Sequence, residues 1–294
     1  MSRLTKRLLL AGAASVALGA PGPLEAQTPL RIIVFGAHPD DCDMDAGGTA
    51  ALWASKGHQV KFVALTNGDA GHQSEGGGAL AKRRRAEAQE AGKRYGIAEY
   101  EVLDNHDGEL EPNLHVRQQV IRRIRQWQAD VVIAPRPNDY HPDHRYTGVL
   151  IQDAAYMVVV PNIAPDTPPL RKNPVFLYFQ DGFQRPNPFR PDVAVAIDDV
   201  LEKKIHALDA HTSQMYEWLP WVAGNLEEVP KDPAARVEWL RKSRSGGPLS
   251  DAVKEAVRKR YGVKADAVRN VEAFELCEYG RRPAEDELSR LFPF

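Results

Sequence analysis

The sequence predicts an α/β fold, a three-layer sandwich built on a mostly parallel sheet with a decorated C-terminal part. Three observations predict it. Apolar, β-branched runs alternate with helix-length segments at the spacing of βαβ units. The runs at Arg31–Phe35 and Val131–Ala134 are continuously apolar in their interiors, as strands covered on both faces are. Polar, histidine-containing clusters follow these two runs at once, where open α/β sheets keep their ligand sites.

In order, Arg31–Phe35 (RIIVF) is the first strand, and helix-forming residues from Gly47 onward stop at Gly57. Gln59–Thr66 (QVKFVALT) is the second strand, followed by a glycine-dense loop, Asn67–Gly78, that contains Asp69 and His72. Leu80–Tyr95 reads as a helix closed by Gly96, with the charge run Lys82–Arg85 on it. Tyr100–Leu103 is a short third strand that leads to Asp104, His106 and Asp107. Leu114–Gln128 places Val116, Val120, Ile121, Ile124 and Trp127 at helical spacing with arginines on the other face, the pattern of a covering helix. Asp130–Pro135 is the fourth strand and Arg145–Val159 the next helix; Val160–Pro174, with five prolines in fifteen residues, is irregular. Val175–Phe179 and Val193–Ile197 are further strands, Val200–Gln214 and Asp251–Tyr261 helices, and Val271–Glu278 alternates as a late strand. From Met215 the pattern weakens, and Tyr216, Trp218 and Trp221 are candidates either for stacking on a ligand ring or for filling a core. Without an internal repeat or low-complexity linker, a single domain over 27–294 is expected.

Strand, helix, strand, repeated with such short connections, implies right-handed crossovers and a doubly wound, Rossmann-like order 3-2-1-4-5. In that order strands 1 and 4 are neighbours where the winding reverses, so the clusters after them should meet in one crevice.

The first cluster is His38-Pro39-Asp40-Asp41. His38 and Asp41, three apart at a helix start, can face one point while Asp40 faces elsewhere. Pro39 restricts the backbone on either side. One imidazole and one carboxylate are two of the three protein ligands that a catalytic zinc usually takes, and a third can come from the second cluster, Asn138–Thr147, through His141 or His144. Either cluster alone reads equally well as a polar turn. Their shared position after neighbouring strands favours a metal site. Asp40, beside a ligand yet off the ligand face, is the candidate general base, and His141 is placed to stabilise an oxyanion or donate a proton. A His2Asp set also accepts other divalent ions.

His38-Pro39-Asp40-Asp41 paired with His141-Pro142-Asp143-His144 resembles the LmbE/PIG-L type of zinc-dependent de-N-acetylases, and the similarity runs from about Arg31 to Gln214. It includes Thr66, Gly68, Arg84, Glu87, Asp107-Gly108 and His211-Thr212-Ser213-Gln214. The resemblance implies His38, Asp41 and His144 as metal ligands, Asp40 and His141 as catalytic residues with Asp143 hydrogen-bonded to His141, and Arg84 and Asp107 as substrate contacts. It implies removal of an acetyl group from an N-acetylglucosamine-containing substrate. One departure is Asp43, where the family usually carries Glu. Rivals are an amidase acting on another amino-sugar conjugate, and a non-catalytic sugar-binding protein of the same fold. A nucleotide-binding Rossmann enzyme is disfavoured because the first βα turn lacks G-x-G-x-x-G.

The formal net charge of −2, with 27% charged and 43% hydrophobic residues, argues against nucleic acid as a partner. Arg3, Lys6 and Arg7, then an apolar stretch to Ala20 and Leu24-Glu25-Ala26, form the order of a secretory signal over 1–26, so an exported, periplasmic or secreted protein is expected. No segment is long and apolar enough to span a membrane. A homo-oligomer is compatible with the sequence. Cys42 and Cys277, the two cysteines, are expected to be unpaired.

Overall fold

The computed structural model describes residues 28–294, and the predicted signal segment lies outside them. The sheet has seven strands, β1 (Arg31–Gly36), β2 (Gln59–Thr66), β3 (Glu99–Asn105), β4 (Val131–Ala134), β5 (Val175–Phe179), β6 (Val193–Ala196) and β7 (Val271–Leu276), in the order β3-β2-β1-β4-β5-β7-β6. The first five are parallel, with β1 between β2 and β4 as the winding rule requires. The late strand β7 is antiparallel to both β5 and β6.

Side-chain alternation along β1 builds both outer layers. Ile32 and Val34 belong to the core beneath α1 (Asp41–Ser55), α2 (Gly77–Tyr95) and α5 (Leu201–Leu208), with Trp53, Phe62 and Tyr95. Ile33 and Phe35 belong to the core beneath α3 (Leu114–Trp127) and α4 (Pro142–Met157), with Val120, Ile124 and Leu150. Cys42 lies in the first core and Cys277 in the second, so the sheet separates them and both are free.

Several bounds differ from expectation. Helix α1 starts at Asp41 rather than near Gly47. Its middle is braced from outside: Glu272 on β7 accepts Gly48 N and Thr49 N at 2.8 and 2.7 Å, and Lys204 on α5 donates to Met44 O at 2.6 Å. Helix α4 starts three residues early, with Pro142 in its first turn, where the missing N–H costs nothing, and His141 as its N-cap. The expected helix Val200–Gln214 ends at Leu208. There Glu87 draws the chain aside by accepting Thr212 Oγ1, Ser213 N and Ser213 Oγ at 2.8, 3.0 and 2.5 Å. A π-helical turn, Gln214–Trp218, follows, then α6 (Leu219–Ala223), α7 (Pro233–Arg244), α8 (Asp251–Tyr261) and α9 (Glu285–Leu291). No helix among the described residues is long and apolar enough to cross a membrane.

Candidate metal centre

The two histidine motifs meet above the C-terminal ends of β1 and β4. Both approaches are tight: a Cβ on Gly36 would lie 2.7 Å from Asp41 Cβ, and one on Gly148 would lie 2.8 Å from the backbone at Pro135–Pro137. Glycine at these positions lets α1 and α4 start close against the strand ends they follow.

Three donors close a triangle. His38 Nδ1 is 3.1 Å from His144 Nε2, His38 Nδ1 is 3.6 Å from Asp41 Oδ2, and His144 Nε2 is 3.5 Å from the same oxygen. Donors about a tetrahedral ion with bonds of about 2.0–2.2 Å are separated by roughly 3.3–3.6 Å. The triangle therefore has the size of one face of such a site. Asp41 is fixed by Ala37 N and His38 N, both donating to Oδ2 at 2.8 Å.

Two other donor sets share His38: one takes His141 and His144, the other Asp107 and Asp143. Asp41 serves better than His141, whose Nδ1 already accepts Asp143 N at 3.2 Å as the cap of α4. The Asp107 and Asp143 set uses the opposite ring nitrogen: His38 Nε2 lies 3.0 Å from Asp107 Oδ1 and 3.4 Å from Asp143 Oδ2. A carboxylate behind a ligating imidazole holds its ring and raises its basicity. Asp139 does the same for His144, with Oδ1 3.3 Å from Nδ1. The sequence reading missed Asp139, although a carboxylate just ahead of an N-cap histidine was a usable sign.

The electrostatics call for positive charge. Burial lowers the pKa of His38, but hydrogen bonding to Asp107, Asp143 and Asp41 outweighs it, and the net shift is well upward. His144 is likewise lowered by burial and raised further by Asp41 and Asp139. Asp41 is raised by burial but lowered more by His144 and His38, to well below the usual carboxylate range. One turn along α1, burial and then Asp41 push Asp45 up to about 7. Carboxylates thus outnumber the imidazoles, and the residues present fit a bound divalent cation. A cavity of about 30 Å³, room for a water, borders Asp41 and His144.

The remaining predicted residues lie around this centre. Asp40 is buried, with Oδ1 2.9 Å from Arg84 Nη2. Arg84 also lies 3.6 Å from Asp107 Oδ2, so both expected substrate contacts are engaged with protein groups here. Asp143 corrects an expectation: its carboxylate accepts Gly108 N and Leu110 N at 2.7 and 3.3 Å and does not bond the His141 ring. Its partners are fixed by the loop that α4 packs against, which local spacing did not reveal. Burial, then His38 and His144, lower the pKa of His141. Asp43 is buried, accepting Tyr100 Oη at 2.8 Å with His211 Nε2 3.2 Å away, so its shorter side chain faces a closed pocket. Of the three aromatics, Trp218 and Trp221 stack on each other with centroids 5.3 Å apart, whereas Tyr216 is buried and donates to Asp209 at 2.8 Å.

A doubly wound sheet with this cluster at its switch point is an α/β protein with a candidate His/Asp cation site. Comparison with known proteins narrows the class. The family model "PIG-L: GlcNAc-PI de-N-acetylase" matches residues 33–155. A diacetylchitobiose deacetylase from Thermococcus kodakarensis is 31% identical over 204 residues, 65% of this chain and 73% of the relative. A probable N-acetyl-α-D-glucosaminyl L-malate deacetylase 2 from Bacillus cereus is 28% identical over 72% of this chain and 94% of its own. The structure of N,N'-diacetylchitobiose deacetylase from Pyrococcus horikoshii with an inhibitor superposes with a TM-score of 0.63 at 26% identity, covering 87% and 88% of the two chains. The chain belongs to the LmbE/PIG-L family.

Proposed function

We propose that this protein is a zinc-dependent amide hydrolase that removes the N-acetyl group from an N-acetylglucosamine-type amino sugar or glycoconjugate. The observation that carries this reading is the His38–Asp41–His144 triangle with Asp40 beside it. The names of the relatives support it. They share the N-acetylated glucosamine and differ in what is attached, a second sugar in one and malate in the other.

A divalent ion bound to the triangle supplies Lewis acidity that makes water nucleophilic near neutral pH. Arg84 holds Asp40 by Oδ1, leaving Oδ2 to take a proton from the attacking water. The water oxygen bonds to the acetyl carbon, the C–N bond breaks, and the proton held by Asp40 passes to the departing nitrogen, giving a free amine and acetic acid, which releases its remaining proton to become acetate. His141 accepts a backbone N–H on Nδ1, so its neutral ring carries the proton on Nε2 and can donate to the oxyanion. Its lowered pKa keeps that neutral form at pH 7.

The test is acetate release from N,N'-diacetylchitobiose by purified protein, after chelation and again after zinc is returned. Loss and recovery are expected; full activity in metal-free protein rejects the mechanism. Export belongs to the same proposal, because the first 26 residues have the order of a signal. Mass spectrometry of protein from its native host should find an N-terminus near Gln27 outside the cytoplasm, and a full-length cytoplasmic chain refutes it.

A further inference from the structure

Beside the small cavity at Asp41 and His144 lies a larger one of about 470 Å³, within the roughly 300–1,000 Å³ typical of ligand pockets. The two share Asp45, Gln180 and Asp181. Asp45 stands one helical turn beyond Asp41, about 5.4 Å along the axis of α1. A substrate whose amide reaches the triangle therefore has room to extend its remainder into this space. The far wall comes from 244–249 and 269–273, outside the stretch that the family model matches.

The charges on these walls do not cancel. Lys204 is neutralised by Glu272 at 2.7 Å, and Asp181 is clamped by two bonds from Arg136, at 2.6 and 2.5 Å. That leaves Arg244 and Arg269 lining the same cavity as Asp45. Arg269 donates through Nη1 to the carbonyls of Asp266 and Val268. Arg244, the last residue of α7, has no such partner. Among the described residues no carboxylate lies within 4.0 Å of it, its Nε is buried without a hydrogen bond, and its recorded polar contact is Met215 Sδ, 3.9 Å from Nη2. Asp40 and Asp45 act on it only from beyond that distance; a guanidinium stays charged at any physiological pH, and leaving one partly buried without a close ion-pair partner costs stability. The wall that carries it is fixed, with Gly246 N donating to Asn270 Oδ1 at 2.9 Å and Asn270 Nδ2 donating to Asp198 Oδ1 at 2.8 Å.

We infer that Arg244 holds an anionic group of the substrate, a carboxylate or a phosphate, in the cavity flanking the catalytic centre, so that the preferred substrate is an N-acetylated amino sugar with an anionic aglycone. The reacting amide rests on the deacetylase reading; the anion site does not. Arginine meets either anion through paired N–H donors, and a charge-assisted contact of this kind is worth roughly 10- to 100-fold in affinity.

The experiment uses three probes with the same acetamido ring: methyl N-acetylglucosaminide, its carboxymethyl analogue, and N-acetylglucosamine 1-phosphate. Binding is measured by calorimetry and acetate release by enzyme-coupled assay, for the wild type and for Arg244→Gln and Arg244→Lys. The expected result is that the wild type binds one or both anionic probes roughly 10- to 100-fold more tightly than the methyl glycoside. The carboxymethyl and phosphate arms identify which anion the site takes. The anionic-to-neutral ratio should fall towards one in Arg244→Gln and survive in part in Arg244→Lys. Equal wild-type affinity for all three probes overturns the proposal whatever the variants do, and so does a preference that survives intact in Arg244→Gln. If no probe releases acetate, the deacetylase reading fails while the calorimetry still decides the anion site.

Discussion

Helix α4 has two ends, and each is a cluster of buried polar groups. At its N-terminus, His141 and His144 enter a crevice where His38, Asp41, Asp107, Asp139 and Asp143 crowd together. At its C-terminus, the buried Arg125 guanidinium donates to six carbonyls, of Met157, Val158, Val160, Ile163, Ala164 and Thr167, at 2.6–3.0 Å. The second cluster is closed: one cation collects the carbonyls that the helix end and the proline-rich segment leave over. The first is open. Asp107 Oδ2 and Arg84 Nε are buried without an aligned hydrogen bond, and the carboxylates hold two imidazoles towards their charged form. A polar cluster that satisfies itself supports the fold, whereas one crowded with carboxylates around two imidazoles favours the approach of a cation.

The largest effect should come from breaking the open end. Replacing His38, Asp41 or His144 with Ala removes one corner of the triangle, so metal content measured by atomic emission and acetate release should fall together, to background. A variant that keeps a full complement of metal removes that residue from the ligand set. Asp40→Asn should separate the two readouts. The amide cannot accept a proton at neutral pH, so metal should remain while kcat falls by roughly 10²–10⁴-fold. Full activity would show that some other group is the base.

At the closed end, Arg125→Met is expected to lower the unfolding free energy by about 3–5 kcal/mol, because several carbonyls lose their donor in a dry site. Denaturant titration measures it. Folded Arg125→Met should still bind metal with the wild-type stoichiometry, since its contacts lie at the far end of α4 from His144. A cost under about 1 kcal/mol would mean that water replaces the guanidinium and that the end is not closed.

The sequence revealed this asymmetry only in part. Strands β1 and β4 and the motifs after them were legible because strands buried on both faces read as unbroken apolar runs, and the winding rule makes those two neighbours. The start of α1 was not, because Gly47 and Gly48 signal a helix edge locally while the groups that brace them, Glu272 and Lys204, lie far along the chain. Helix α7 was missed for another reason. Only Leu240 of its residues is buried, so it carries no apolar stripe to read. Arg125 was seen as one of several arginines on the outer face of a covering helix, and only the fold of 157–167 around it turns it inward. The candidate ligands stood out through their three-residue spacing, whereas the carboxylates behind them depend on which loops meet: Asp143 spans to Gly108 and Leu110, and Asp107 reaches back to His38.

Asp107 gives the smallest effect and the sharpest distinction. The family resemblance makes it a substrate contact; the structure sets its carboxylate 3.0 Å from His38 Nε2 and 3.6 Å from Arg84. The two roles lead to different measurements. If Asp107 chiefly holds the His38 ring and keeps its other nitrogen basic, Asp107→Asn weakens metal affinity by roughly 10–100-fold, and saturating zinc should restore most of kcat. If it chiefly binds substrate, metal affinity stays at the wild-type value and KM rises at every zinc concentration. The position of the carboxylate behind the ring favours the first outcome. A metal titration of Asp107→Asn beside its KM at saturating zinc decides between them, and an unchanged metal affinity would move Asp107 from the support of the centre to the surface that meets the sugar.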